Sequence, residues 1–248
     1  MKNKFLLSIA ITITAWFFPN ENSGQAPNLG SAVNYVLFST IGAVSNAGIS
    51  QITGNAGSNN GATTGFATLN GQLHNADPAS AQCSIDLLSA YSQLNAAVPT
   101  LFPGVLLGNG QILDAGVYAI PAAASLNLTL TLDAQGNPNA IFIFQINGAF
   151  STNSLSRIKL INGASPCNVF WKVEGAVSMA AASSMTGTII ANNAAISLAA
   201  GDTLLGRALS TTGAVAVDGV LANVGCGFVV LPLYCLPSPA PVPTNPYY

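Results

Sequence analysis

Charge is what this sequence lacks most. Only 6% of its 248 residues are charged, six Lys and Arg against eight Asp and Glu, where soluble domains carry about a quarter. A net charge of -2 leaves no electrostatic footprint for nucleic acid or an anionic membrane. Histidine occurs once, as His74, just ahead of a helix start, where a structural role is expected. The four cysteines, Cys83, Cys167, Cys226 and Cys235, show no CxxC spacing, which removes the usual zinc and dithiol patterns. Motifs of the G-x-S-x-G, H-E-x-x-H and phosphate-loop kinds are absent. Asp202 and Asp218 stand in neighbouring repeats and are the one carboxylate pair to weigh for glycoside hydrolysis. Beyond Arg207 no basic or aromatic cluster surrounds them, and the pair is set aside. The chain is expected to need no cofactor or metal and not to be an enzyme.

What is present is apolar or small. Hydrophobic residues make up 50% of the chain, so Ser, Thr, Asn, Gln, Ala and Gly must cover most of the surface. Residues 1–26 read as a secretory signal, with Lys2 and Lys4 ahead of an apolar run and Ser23-Gly24-Gln25-Ala26 as a small-residue exit. That run is too short to span a bilayer, and no later stretch suits a transmembrane helix. The expectation is an exported, extracellular chain without membrane insertion. Residues 28–224 form the folded domain, and 225–248 a C-terminal cap followed by a Pro-rich tail.

Residues 168–224 repeat every nineteen positions, as 168–186, 187–205 and 206–224. Trp171, Ile190 and Leu209 align, as do Val177, Ile196 and Val215, and then Met179, Leu198 and Val217. Ala176, Ala195 and Ala214 align as well. A short period rich in β-branched residues, Gly and Asn predicts a β-solenoid, whose rungs bury a core only by stacking.

One helix interrupts the strands. Asp77 suits an N-cap and Pro78 the first helical position, and Pro99 ends a helix over 78–98. Ala81, Ile85, Leu88, Tyr91 and Leu94 fall on one face at helical spacing, so this stripe is expected to lie on the solenoid. The run IFIFQI at 141–146 reads as a strand buried on both sides, one toward the solenoid interior and one toward the helix. Trp171 and Phe170 are expected to fill the core. Three cysteine pairings are open; Cys226 with Cys235 closes the shortest loop and is the first choice.

Small polar residues recur at one place in successive rungs: Ser154 and Ser156, then Ala181, Ser183 and Ser184, then Ala200 and Thr203, then Ala222. Two readings stand side by side. The residues tile a flat face whose methyl and hydroxyl groups order water, or they simply fit tight solenoid corners.

Longer strings carry a resemblance. Leu29-Gly30-Ser31-Ala32, Ile52-Thr53-Gly54-Asn55, GQLHNAD at 71–77, Gly116-Val117-Tyr118, LTLDAQGNPNAIFIFQI at 130–146, Ile161-Asn162-Gly163-Ala164 and CNVFW at 167–171 are similar to the ice-binding family that contains the domain of unknown function 3494. The resemblance covers about 28–224. It implies a mainly β fold, a right-handed triangular parallel β-helix with one long α-helix alongside. It also implies a monomeric protein whose partner is an ice crystal surface, bound through a flat face carrying a Thr-Ala/Gly-x-Thr/Asn pattern. The matching positions here are Ser154, Ser156, Ala181, Ser183, Ser184, Ala200, Thr203 and Ala222. Leu155, Arg157, Asp202 and Val220 interrupt them, so moderate activity is expected. The alternative is a structural or adhesive extracellular module of the same fold.

Overall fold

A computed structural model describes residues 24–226. Most of the signal reading and the Pro-rich tail therefore lie outside the described residues. Within them the chain is mainly β, with parallel strand pairing and one α-helix.

The strands stack in three columns. The helix-side column runs through Gly116–Ile120, Phe142–Ile146, Val169–Val173, the second halves of Ser184–Ala191 and Thr203–Ser210, then Tyr35–Ser39, Asn55–Ser58 and Leu73–Asn75. A second column has eight strands, from Leu106–Gly108 through Ala124–Asn127, Phe150–Thr152, Val177–Met179, Ile196–Leu198, Val215–Asp218 and Val44–Ala47 to Thr63–Thr64. The third holds Ile112–Asp114, Thr129–Asp133, Arg157–Ile161, the first halves of the two long strands, Leu221–Asn223, Gln51–Thr53 and Leu69–Asn70.

Chain order and stacking order differ. The rung that begins with Val215–Asp218 and Leu221–Asn223 is completed on the helix side by the N-terminal strand Tyr35–Ser39. That strand pairs with Thr203–Ser210 through Leu37 with Ala208 and Phe38 with Leu209. The chain then winds away from this seam to Leu73–Asn75. Helix Pro78–Ala96 carries it back to the opposite end, where the rungs from Leu106 onward begin. Nineteen helical residues span about 28 Å, a length close to the height of an eight-stranded column at about 4.8 Å per step.

The nineteen-residue period holds on the second column, where Val177, Ile196 and Val215 pair in turn, and so do Met179, Leu198 and Val217. On the helix side the register is corrected by one: Trp171 lies beside Ile189, then Ala208. Trp171, Ile189 and Ala208 point into the solenoid core, whereas Ile190 and Leu209 face the helix. The strands Ser184–Ala191 and Thr203–Ser210 turn a corner without a loop. They do so at Gly187 and Gly206; a Cβ on Gly206 would stand 1.9 Å from the Gly187 carbonyl oxygen.

Phe142, Phe144 and Ile146 join the solenoid core, and Ile143 joins the helix-side cluster. Phe144 stacks between Tyr118 and Trp171, with centroids 4.9 and 4.1 Å away. The Trp171 indole donates to the Thr186 carbonyl at 2.9 Å, which satisfies its one polar atom.

The helix starts as expected. The Asp77 carboxylate accepts from the Ser80 N–H at 2.7 Å, and the Asp77 N–H donates to the Ser80 hydroxyl at 2.9 Å. Its buried face, however, is Cys83, Leu87, Ala90 and Leu94. Ala81, Ile85 and Leu88 of the expected stripe are exposed. Small Cys83 and Ala90 let the helix backbone approach the sheet, which larger side chains would hold off. The far end has no glycine cap. Instead the Gln145 amide donates to the carbonyls of Leu94 and Ala97 at 2.8 and 2.7 Å, closing carbonyls that a helix C-terminus leaves open.

The seam is tied by side chains. Arg207, 1% exposed, donates to the Val33 carbonyl from Nε and Nη2 and to the Cys226 carbonyl from Nη2, at 2.6–2.9 Å. Burial lowers its pKa to about 10. The disulfide joins Cys167 to Cys226, not Cys226 to Cys235, because the chain beyond Asn223 doubles back onto the turn Pro166–Asn168. A bridge closing 59 residues stabilises by about 4 kcal/mol in the loop-entropy account. Cys83 is a buried free thiol, and Cys235 lies outside the described residues.

Candidate functional site

The eight residues selected from the sequence do not form one surface. They surround the corner between the second and third columns. There the backbone takes positive φ at Leu128, Leu155, Ala182, Gly201, Gly219 and Gly48. Ser156, Ser183 and Ala222 are buried and cannot contact a ligand in the folded chain. Ser154, Ala181 and Ala200 are exposed at the turn itself. Ser184 and Thr203 belong to the third column and pair with each other, the Thr203 hydroxyl donating to Ser184 Oγ at 2.8 Å.

The buried members are there to satisfy the corner backbone. Ser156 Oγ donates to the Leu126 carbonyl at 2.9 Å. Ser183 Oγ meets Thr152 Oγ1 at 2.8 Å, and the Ser183 N–H donates to Asp202 Oδ1 at 2.8 Å. Asp202 Oδ2 accepts from the Ala199 N–H at 2.7 Å. One rung on, Ser50 takes the same part, accepting from the Val220 N–H at 3.0 Å and donating to Asn46 Oδ1 at 2.6 Å. Asp202 and Val220, which the sequence reading placed on the surface, are both buried. Burial raises the Asp202 pKa in spite of its two N–H donors. Asp218 is exposed on the second column, so the two carboxylates occupy different environments.

The second column presents an exposed surface of regular rows. Its inward positions, among them Val44, Ala124, Phe150, Val177, Ile196 and Val215, fill the core. Its outward positions form rows. Paired register runs Leu106, Ser125, Ser151, Ser178, Ser197, Ala216, Ser45, Thr64. Two residues upstream in each strand, Ala43, Ala62, Ala123, Ala149, Ala176, Ala195 and Ala214 are all exposed. Along the other border an amide ladder joins Asn153 to Asn127 and Asn127 to Asn109 at 3.0 and 2.9 Å.

Three properties set this surface apart. Asp218 is the only charged residue in its strands, whereas the third column presents Asp114, Asp133, Arg157 and Lys159. Among the described residues the hydroxyls of Ser45, Ser125, Ser151 and Ser178 have no hydrogen-bond partner within the protein, and Ser197 has only a 3.5 Å approach to the Val177 carbonyl. These hydroxyls are free to bind water. The edge of the surface is also tight: a Cβ on Gly213 would lie 2.1 Å from the Ala194 carbonyl carbon, so consecutive rungs stay in contact there.

The middle of the helix-side column is covered by the helix, which is tied to it by polar contacts. Tyr91 donates to Glu174 at 2.6 Å, Asn192 donates to Glu174 at 2.8 Å, and Lys172 lies 2.6 Å from the same carboxylate. Partial burial works upward on the Glu174 pKa, but these three donors hold it below the ordinary value.

The signal for the second column was present in the sequence as Gly148-Ala149-Phe150-Ser151, Gly175-Ala176-Val177-Ser178, Ala194-Ala195-Ile196-Ser197 and Gly42-Ala43-Val44-Ser45. The last of these is far from the others along the chain, and only the seam brings it into the row.

Known proteins place this architecture. The profile of the family described as Ice-binding-like matches residues 39–222. An ice-binding protein of Nostoc sp. (strain HG1) is 35% identical over 231 residues, covering 91% of this chain and 84% of its own. The crystal structure of an ice-binding protein from an Antarctic Flavobacteriaceae bacterium superposes with a TM-score of 0.81 at 52% identity. That match covers 84% of this chain and 49% of the other, so this chain spans about half of that protein. An ice-binding protein from the Antarctic ascomycete Antarctomyces psychrotrophicus gives a TM-score of 0.78 at 33% identity, over 82% of this chain and 100% of its own.

Proposed function

The chain belongs to the ice-binding-like family, and from that premise we propose that it is an exported, monomeric, non-catalytic antifreeze protein that adsorbs to ice through its second column. The observation that carries the assignment is the paired row of Ser125, Ser151, Ser178, Ser197 and Ser45, interrupted only by Ala216, flanked by exposed alanines and set in strands whose single charge is Asp218.

The mechanism follows from spacing and rigidity. Parallel strands repeat about every 4.8 Å, and alternate residues of a strand about every 6.6 Å. Hydroxyls and methyls therefore stand on a fixed two-dimensional grid. Hydroxyls anchor water, methyls leave it no competing partner, and the ordered layer merges with the ice surface. An ionised group would hold its own hydration shell instead. Because strands and core fix the grid in advance, adsorption costs little conformational entropy. Ice between adsorbed molecules can then grow only as curved fronts, which opposes growth and recrystallisation.

The test places one bulky residue on each candidate surface. Ser178→Tyr lifts the centre of the second column, and Thr131→Tyr changes the third. Thermal hysteresis and recrystallisation inhibition are expected to be lost in the first variant and kept in the second, with both melting like the parent. The opposite result moves the contact surface to the third column. A parent protein without hysteresis at high micromolar concentration returns the chain to the adhesive reading.

A further inference from the structure

The corner between the second and third columns takes a left-handed residue in successive rungs. Gly201, Gly219 and Gly48 fill that position in three of them, and Ala182 in a fourth. Glycine, with no Cβ to strain, is its natural occupant. In two neighbouring rungs the position is held instead by Leu128, at φ 56°, and Leu155, at φ 65°.

These side chains return nothing to the fold. Leu128 is 59% exposed and Leu155 70%, and neither belongs to the solenoid core or to the helix-side cluster. The Leu128 carbonyl accepts from the Arg157 N–H at 2.8 Å, a backbone role that needs no side chain. Strain at an exposed apolar residue, repeated one rung on, points to a contact outside the chain.

The neighbours of the two leucines narrow the partner. Leu128 follows Asn127, and Leu155 lies two residues after Asn153, the amides whose ladder borders the second column. Ser125 and Ser151 belong to the same two rungs. In the next rungs the border residues are Ala180 and Ala199. Asp218, the one charge in these strands, lies three rungs beyond Ser151. Free hydroxyl, amide and exposed leucine thus follow one another across two rungs, at the border of the row already assigned to ice.

We propose that Leu128 and Leu155 form an apolar ridge that widens the ice contact of these rungs, and that their strain is kept for that contact. The inference rests on the second column being the adsorbing surface. Methyl groups hold no water by hydrogen bonds, so the ordered layer over them passes into the ice while the amide ladder anchors its edge.

Replacing both leucines in the full chain tests the ridge. Leu128→Gly with Leu155→Gly removes side chains and strain together. Leu128→Asn with Leu155→Asn keeps a side chain that accepts the left-handed region and removes the methyls. Thermal hysteresis at equal concentration is expected to fall about twofold or more in both pairs while the melting temperature holds or rises, the trade between stability and contact met at such positions. Leu221→Ala, at an exposed leucine of the third column, is expected to keep the parent value. Parent-level hysteresis in either folded pair overturns the ridge, and so does an equal loss in Leu221→Ala. Ser178→Tyr, run alongside, separates the two readings. An active parent that Ser178→Tyr silences and both leucine pairs leave unchanged overturns the ridge alone; a parent without hysteresis overturns it together with the reading beneath it.

Discussion

Replacing Asp202 by Ala separates a corner role from a surface role. The carboxylate is fully buried and accepts the Ser183 and Ala199 N–H groups. Its removal leaves two buried donors without partners, at about 1–3 kcal/mol each. Relief from burying the carboxylate, the same burial that raises its pKa, offsets part of this. The net loss is about 2–4 kcal/mol, or a melting temperature lower by roughly 5–15 °C for a domain of this size. Calorimetry gives the stability, and thermal hysteresis near 0 °C gives the activity of the molecules still folded. Activity per folded molecule is expected to stay at the parent level, because Asp202 does not reach the second column. A variant that melts like the parent but loses hysteresis would refute the corner assignment.

Three other outcomes are expected. Leu155→Gly should raise stability by up to about 1 kcal/mol by calorimetry, since Leu155 is exposed at φ 65° and a side chain in that region costs about 1–2 kcal/mol, partly offset by glycine's entropy. Asp218→Ser should raise thermal hysteresis with stability within about 0.5 kcal/mol, because it removes the one charge from the second column. Acid should lower the melting temperature: hydrogen bonds and ion pairing outweigh burial and hold the carboxyls of Asp77, Asp86 and Glu174 below their ordinary values. Their contribution is present above an unfolded value of about 4 and lost as pH falls through the lower folded values. Asp202 runs the other way, its contribution being lost as pH rises through its raised folded value, so Asp202→Asn should change the profile only on that side.

Much of the scaffold was legible because it rests on local signals. The nineteen-residue period, the Asp77-Pro78 helix start and the double-sided strand Phe142–Ile146 each follow from spacing within one segment. The proposed contact surface was legible only in its middle rungs, as the strings Gly148–Ser151, Gly175–Ser178 and Ala194–Ser197, and its continuation was hidden for a reason of topology. Ser45 and Ser197 stand two rungs apart in one row, with Ala216 between them, across a seam that no periodicity announces. The small residues picked out by their repetition, Ser156 and Ser183, repeat because every corner has the same backbone groups to satisfy. Repetition marks a shared structural demand at corners as readily as on a face. The helix stripe failed in a related way, since Ile85 and Leu88 fit helical spacing as well as Leu87 and Ala90 do, and only the sheet beneath selects between them. The Cys167–Cys226 bridge depended on the chain doubling back after Asn223, which loop length alone argues against.

The seam between Tyr35–Ser39 and Thr203–Ser210 also bears on how the molecule is made. An ordinary solenoid can lengthen one rung at a time from whichever end is synthesised first. Here the N-terminal rungs stack on the last ones, so the ladder through Leu37 and Ala208 must wait until nearly the whole domain has emerged. Its closure joins residues about 170 positions apart, and loop closure over such distances slows folding. The protein is therefore expected to close as a ring closes, in one late event. Arg207, holding the Val33 and Cys226 carbonyls together, is the clasp that this event fastens.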